Sequence, residues 1–348
     1  MAENRFYLSS SPHFRLGIST KSIMACVLIS LLPECICGVI IFGIPALITI
    51  LVSVASCVVF EWLFQLATKQ KVVVSNLSAC VTGVLLALVC PPTIPVWMTV
   101  LAAAVAVVVA KGLFGGIGSN VFNPALTGRA FLFISFPAAM GATWLNPIKF
   151  SSEVDAISSA TVLSSVKNGT FDFQNFDVWQ YFIGNRAGCI GETSILLVLI
   201  SFLFLLICRI IDWRAPAAMV GTVAICSFLD GFAKAGNISF AGEQVLVSLL
   251  TGGLVFGATF MVTDYSTAPV TKGGRLVFGA GCGLITFLIR RFGGYPEGVM
   301  FSILIMNALA PFLNKITARK YGYGKKSEKK PFVKKITMEF DLSEGVEK

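Results

Sequence analysis

Apolar residues in this chain are grouped into long runs, and the breaks between runs carry Gly, Pro, Asn and charge. Between Lys21 and Glu61 the only charge is Glu34. The Gly43-Ile44-Pro45 turn divides that stretch into two helices, the second opened by Pro45. Residues 72–110 contain no charge, and Pro91, Pro92 and Pro95 split them into a third and a fourth run. A fifth follows the glycine-rich segment 112–119 and ends near Pro137. After a polar stretch over 138–193, five further runs lie near 194–210, 215–231, 243–263, 274–289 and 298–314. A bilayer crossing takes roughly 20 apolar residues. The pattern therefore predicts an all-α polytopic membrane protein with about ten transmembrane helices.

Ten crossings put both termini on one side, and the cations choose that side. Arg5, Arg15, Lys21, Lys69, Lys71, Lys111, Arg209, Arg214, Lys272, Arg275 and the basic tail share one face, against Lys149, Lys167, Arg186, Lys234, Arg290 and Arg291 on the other. The positive-inside rule makes the first face cytoplasmic and turns the 138–193 loop outward. The expected organisation is a cytoplasmic arm (1–20), a first five-helix unit (21–137), the outward loop (138–193), a second five-helix unit (194–314) and a basic cytoplasmic tail (315–348). Residues 1–20 are polar and mixed, so the first run is expected to be a retained helix rather than a cleaved leader.

The two units echo each other. Thr82-Gly83-Val84-Leu85 returns as Thr251-Gly252-Gly253-Leu254, Phe114-Gly115-Gly116 as Phe292-Gly293-Gly294, and Asn123-Pro124-Ala125-Leu126 as Asn307-Ala308-Leu309-Ala310. Because five crossings is an odd number, duplicated halves would run in opposite directions, the inverted-repeat plan. Chance matches among common membrane residues are the alternative.

Composition narrows the function classes. The chain has 348 residues, 55% hydrophobic and 13% charged, against roughly 25% charge for soluble domains; its mean hydropathy is +0.82. The net charge of +9 is concentrated partly in the tail and comes without nucleic-acid motifs, so nucleic acid is not an expected partner and membrane lipid is. One histidine, His13, argues against a histidine metal site or a hydrolytic triad. No residue is assigned a bond-making role and no metal site is expected. Nine of the ten cysteines lie in or beside apolar runs, and Cys189 alone falls in a polar loop. The Cys35/Cys37 pair is a small-hydrophobe pair or half of a cluster shared with another chain.

Two segments carry candidate chemistry. Asp155-Ala156-Ile157-Ser158-Ser159-Ala160-Thr161 is hydroxyl-rich and by composition reads as a turn or cap. The run from Gly115 to Ala130, with Gly116, Asn120, Asn123 and Arg129, combines glycines that allow close backbone approach with amides at helix breaks. Arg129, inside a span, needs an anionic partner, a phosphate or a carboxylate, or else pairs with a helix C-terminus or snorkels to the interface. Glu34, just after Pro33, is a candidate ion-coupling carboxylate or a contact to a partner subunit.

The motifs together resemble the RnfD/NqrB family of membrane subunits. Ser11-Pro12-His13, the glycine- and asparagine-rich run ending Gly128-Arg129-Ala130, the Ser158-Ser159-Ala160-Thr161 segment, Thr263-Asp264-Tyr265-Ser266-Thr267-Ala268-Pro269 and Gly274-Arg275 occur in the family's order, from about Ser11 to Pro311. Ser159 stands where many members have Gly, and Val162 where Pro is frequent. The resemblance implies FMN joined through its phosphate to Thr161, attached by a flavin transferase that uses FAD, with Asp155, Ser158 and Ala160 shaping the recognised loop. It further implies a noncovalent riboflavin in the membrane part, which Asp264 and Thr267 would bound if they do not merely cap. The implied role is a flavin-carrying subunit of a bacterial inner-membrane Rnf-type complex, relaying electrons between ferredoxin and NAD coupled to Na+ or H+ export. The rivals are a Na+-translocating quinone-reductase subunit, a flavin-free solute channel or transporter, and a structural scaffold.

Overall fold

The structure, a computed structural model, describes residues 19–141, 144–145, 162–167, 178–184, 186–295 and 297–318. Among the described residues all regular structure is helical. Helix α1 spans Thr20–Phe42, its N-terminus capped by the Ser19 side chain, which accepts from the Ser22 amide at 3.2 Å. Gly43 closes it at φ 72°, a left-handed value that costs glycine little. Helix α2, Ile44–Ala67, then starts with proline in its first turn, as the sequence predicts. Helix α3 covers Ser78–Leu88, and α4, Val96–Gly112, follows the prolines. Asn123 caps α5, Pro124–Ser135, accepting from the Leu126 amide at 3.3 Å. Short helices α6 (Pro137–Gly141), α7 (Val162–Lys167) and α8 (Val178–Ile183) follow. After them come α9 (Ile195–Ile207), α10 (Arg214–Ala235), α11 (Ile238–Leu250), α12 (Leu254–Met261), α13 (Lys272–Phe292) and α14 (Val299–Thr317).

Among the described residues five helices, α1, α2, α10, α13 and α14, are long and apolar enough to cross a bilayer, or six if the α11–α12 pair, bent by 61°, is one crossing. The remaining apolar runs are shorter than the pattern suggests. Helix α3 has 11 residues and α5 has 12, about 16–18 Å at 1.5 Å per residue against a hydrocarbon core of ~30 Å. The reason is local: the prolines end α3, and Gly115, Gly116 and Gly118, at φ 107°, 90° and 84°, hold a turn before α5 that no helix can continue through.

The short helices sit in the middle. Every residue of α3 except Cys80 is buried, whereas α1 turns Ile29, Leu32, Ile36 and Ile40 outward and α10 turns Ile225, Leu229 and Phe232 outward. Such apolar outer faces suit lipid. Helix contacts are tightened where side chains are absent: a Cβ on Gly279 would sit 2.2 Å from the Ala215 carbonyl oxygen, locking α13 to α10. On the other side, Ser53 of α2 donates to the Gly83 carbonyl of α3 at 2.7 Å.

Candidate functional site

The helix breaks open two chambers at opposite ends of α5. The inner one, about 390 Å³, is lined by Ile23, Val81, Leu85 and Phe260 with Asn120, Asn123 and Asp264. That volume falls within the ~300–1,000 Å³ of small-molecule sites. Helix α4 from Val105 to Gly112 and α12 from Gly257 to Met261 are wound as π-helix, and each delivers a lining residue, Lys111 and Phe260. Wide winding of this kind is frequent at functional sites.

The polar groups of the inner chamber are largely committed. Asn120 donates to the Phe122 carbonyl at 3.2 Å and Asn123 caps α5. Asp264 accepts from Thr267 at 3.0 Å and from Ser266 at 3.2 Å, within a turn before the helix that starts at Lys272. Lys111, 5% exposed, is held at 2.9–3.0 Å by both carboxylate oxygens of Glu61 and also donates to the Ser78 hydroxyl. Removing the cation strands a buried carboxylate. Lys111→Met is therefore expected to destabilise the protein by about 3–5 kcal/mol, read as a lower melting temperature in detergent. Adding Glu61→Gln to Lys111→Met should recover much of that loss.

The outer chamber, about 240 Å³, gathers Arg129, Arg186, Cys189, Glu192 and Glu297 beneath Leu163 and Trp144. Arg129, 4% exposed, reaches Glu297 at 2.8 Å, Glu192 at 3.7 Å and the Cys189 sulfur at 3.5 Å. Its anionic partner is thus a carboxylate pair. Glu297 also accepts from the Gly253 amide at 3.0 Å. A Cβ on Gly253 would lie 2.2 Å from Glu192 Oε1 and 2.8 Å from Glu297 Oε1, so both carboxylates crowd one glycine. Burial, and then Glu297 beside it, push Glu192 above the usual carboxylate range. Arg186 donates to the carbonyls of Leu250 and Glu192, and Arg290 to that of Ser248 at 2.7 Å. Two nitrogens, Arg129 Nε and Arg290 Nε, have no partner among the described residues.

The structure brings Asn120, Asn123 and Asp264 to one chamber, with Thr267 bonded to Asp264, and puts Arg129, midway along α5, in the other. Gly116 belongs to the turn beside the inner chamber without lining it, and a Cβ there would meet nothing within 4 Å. Asp155, Ser158, Ala160 and Thr161 lie outside the described residues, but Leu163, two positions after Thr161, lines the outer chamber. Glu192, Glu297 and the Lys111–Glu61 pair carry no local motif. Only the requirement that buried charges be paired pointed toward them. Cys189, placed in a polar loop by its sequence neighbours, is 1% exposed. Among the described residues no group of three or more His, Cys, Asp or Glu side chains could hold a metal, Cys35 and Cys37 included.

Comparison with known proteins adds the relatives. Over 323 residues the chain is 41% identical to the D subunit of the proton-translocating ferredoxin:NAD(+) oxidoreductase complex of Clostridium ljungdahlii, covering 90% of this chain and 95% of that one. It is 40% identical over 328 residues to the D subunit of the Na(+)-translocating ferredoxin:NAD(+) oxidoreductase complex of Acetobacterium woodii, covering 93% and 98%. It is 36% identical over 347 residues to the D subunit of the ion-translocating oxidoreductase complex of Stutzerimonas stutzeri, covering 90% and 95%. The family model described as NQR2, RnfD, RnfE matches residues 7–322, a region that contains both chambers. The chain belongs to the NQR2, RnfD, RnfE family.

Proposed function

We propose that this chain is the flavin-carrying membrane subunit of an Rnf-type complex that relays electrons between ferredoxin and NAD and couples them to ion export. The observation that carries the reading is the surplus of guanidinium around the outer chamber. Arg129 and Arg186 in the chamber, and Arg290 in the adjoining pocket that shares Leu163, act on Glu192 and Glu297, which leaves one positive charge over, and Leu163 ties both pockets to the segment bearing Thr161. A phosphodiester on Thr161 keeps one negative charge, and the unpartnered Nε atoms of Arg129 and Arg290 are suitable donors to it. The donor set therefore fits an FMN phosphate. In the inner chamber, apolar walls from Ile23, Val81, Leu85 and Phe260 fit the faces of a flat ring, and Asn120, Asn123 and Asp264 supply a polar margin for a noncovalent riboflavin. When bound, flavin supplies one- or two-electron chemistry; the protein orients and insulates it. Lys111 offers a fixed cation in the inner chamber, where Glu61 limits its movement.

The ten crossings and the inverted repeat are part of this proposal. Their support is the pairing of helices. Helix α2 packs on α4 as α10 packs on α13, α4 on α5 as α13 on α14, and across the halves α1 meets α9 and α5 meets α14. Both termini on the cytoplasmic face, with the Thr161 loop outward, follow from the Lys/Arg distribution. The implied partners are the other Rnf subunits, the flavin transferase that matures Thr161, and lipid. The test is peptide mass spectrometry of the chain produced with and without a flavin transferase. An FMN increment on the Thr161 peptide only when the transferase is present is expected; an unmodified peptide in its presence overturns the reading.

A further inference from the structure

Helix α1 carries one acid, Glu34, in a helix whose only other charge is Lys21 at its start. The Glu34 residue is 3% exposed, so it is enclosed by this chain and is not available to a partner subunit. Neither carboxylate oxygen has a hydrogen-bond partner among the described residues, and no ion pair reaches it there. An ionised carboxylate cannot stay in such a place without large cost, whereas a neutral carboxyl can.

The neighbouring groups favour the neutral form. Ser201 of α9 stands alongside the carboxyl, and its hydroxyl donates to the Ser30 carbonyl of α1 at 2.6 Å. A serine hydroxyl has one proton. With that proton spent on Ser30, Ser201 can only accept, and the only thing Glu34 can offer it is a proton of its own. The elements packed on α1 supply no counter-charge. Helix α9 has no titratable residue; α3 has only Cys80; α2 has Cys57 and Glu61, and Glu61 is taken by Lys111. Cys35 and Cys37 are its titratable neighbours on α1 itself. Hard cations require several oxygens arranged around them, and one carboxyl beside one committed hydroxyl does not supply them.

Helix α1 also reaches the segment that feeds the outer chamber. One turn further along α1, a Cβ on Gly38 would lie 2.9 Å from the Ile190 carbonyl oxygen, so α1 touches the segment that carries Cys189 and Glu192 into the outer chamber. We propose that Glu34 is a membrane-buried proton-binding site between α1 and α9, which holds a proton at rest and exchanges it toward the outer chamber. In the release step the carboxyl O–H bond breaks, the proton passes to an outer-chamber base such as the Glu192 carboxylate, and Glu34 is left ionised until a proton from the medium restores it. No electron or co-reactant is needed. The site stands on α1 and α9 and does not depend on flavin occupancy.

The test is carbodiimide labelling of the intact complex in native membranes, because dicyclohexylcarbodiimide reacts with protonated carboxyls in apolar surroundings. Peptide mass spectrometry of α1 should show the adduct on Glu34 near neutral pH, equally in sodium and choline salts. The adduct should fall about tenfold per pH unit once the medium passes the titration point. Glu34→Gln mimics the neutral carboxyl, so it should lose the α1 adduct and keep the melting temperature of the parent. Absence of the adduct while other carboxyls of the same sample react, protection by sodium, or a destabilised Glu34→Gln would each overturn the proposal.

Discussion

Thr161→Ala is expected to abolish flavin fluorescence in the denatured band completely and to reduce electron transfer by the assembled complex by orders of magnitude, with the helical body intact. The packing described above, from α3 and α5 at the centre to α10 and α13 outside, is made by described residues, which do not include Thr161. What the hydroxyl supplies on the proposed reading is a tether. A short tether holds its group at an effective concentration of about millimolar. Free FMN added at about that concentration should therefore restore part of the activity of Thr161→Ala, and Thr161→Ser, which keeps an acceptor oxygen, should retain some covalent flavin. Fluorescence surviving in the Thr161→Ala band would place the attachment elsewhere.

Arg129→Met is expected to be the most destabilising change in the outer chamber, by about 3–5 kcal/mol near neutral pH. The guanidinium is 4% exposed and is the group common to Glu297, at 2.8 Å, and Glu192, at 3.7 Å. Its loss leaves two carboxylates crowded at Gly253 with Arg186 and Arg290 turned mainly to backbone carbonyls. The pH dependence has a definite sign. Without Arg129 the folded carboxylates are pushed above their unfolded values, so the penalty is absent below the unfolded value and grows as pH rises toward the folded one. Acidification should therefore narrow the gap between Arg129→Met and the parent in thermal melts. A gap unchanged by pH would show that Arg129 acts through packing alone.

Much of the helical frame was legible because hydrophobicity and chain breaks are local properties. Gly43 with Pro45, the prolines at 91, 92 and 95, and the glycine-rich segment 112–119 each mark a boundary that the structure keeps. The length of a helix inside an apolar run was less legible. The third run, from residue 72 to the prolines, read as one more crossing, yet its helix covers only Ser78–Leu88 and lies inside the protein, where other helices rather than lipid cover it. Apolar composition is the same for a helix facing lipid and a helix facing its neighbours.

The candidate site divides the same way. Arg129 announced itself by its type and place, and the need for an anion followed from electrostatics alone. Which anion it meets did not, because Glu297 lies 168 residues away and becomes a neighbour only when α5 and α14 meet. The Lys111–Glu61 pair, separated by 50 residues, is hidden for the same reason. The sequence alone thus determined a multi-helix apolar body, the points where its helices break and the charges that need partners. The tertiary structure alone decided how those charges pair, where the two chambers open and that Glu34 meets no counter-charge among the described residues, since pairing depends on distance through space and the chain orders residues only along its length.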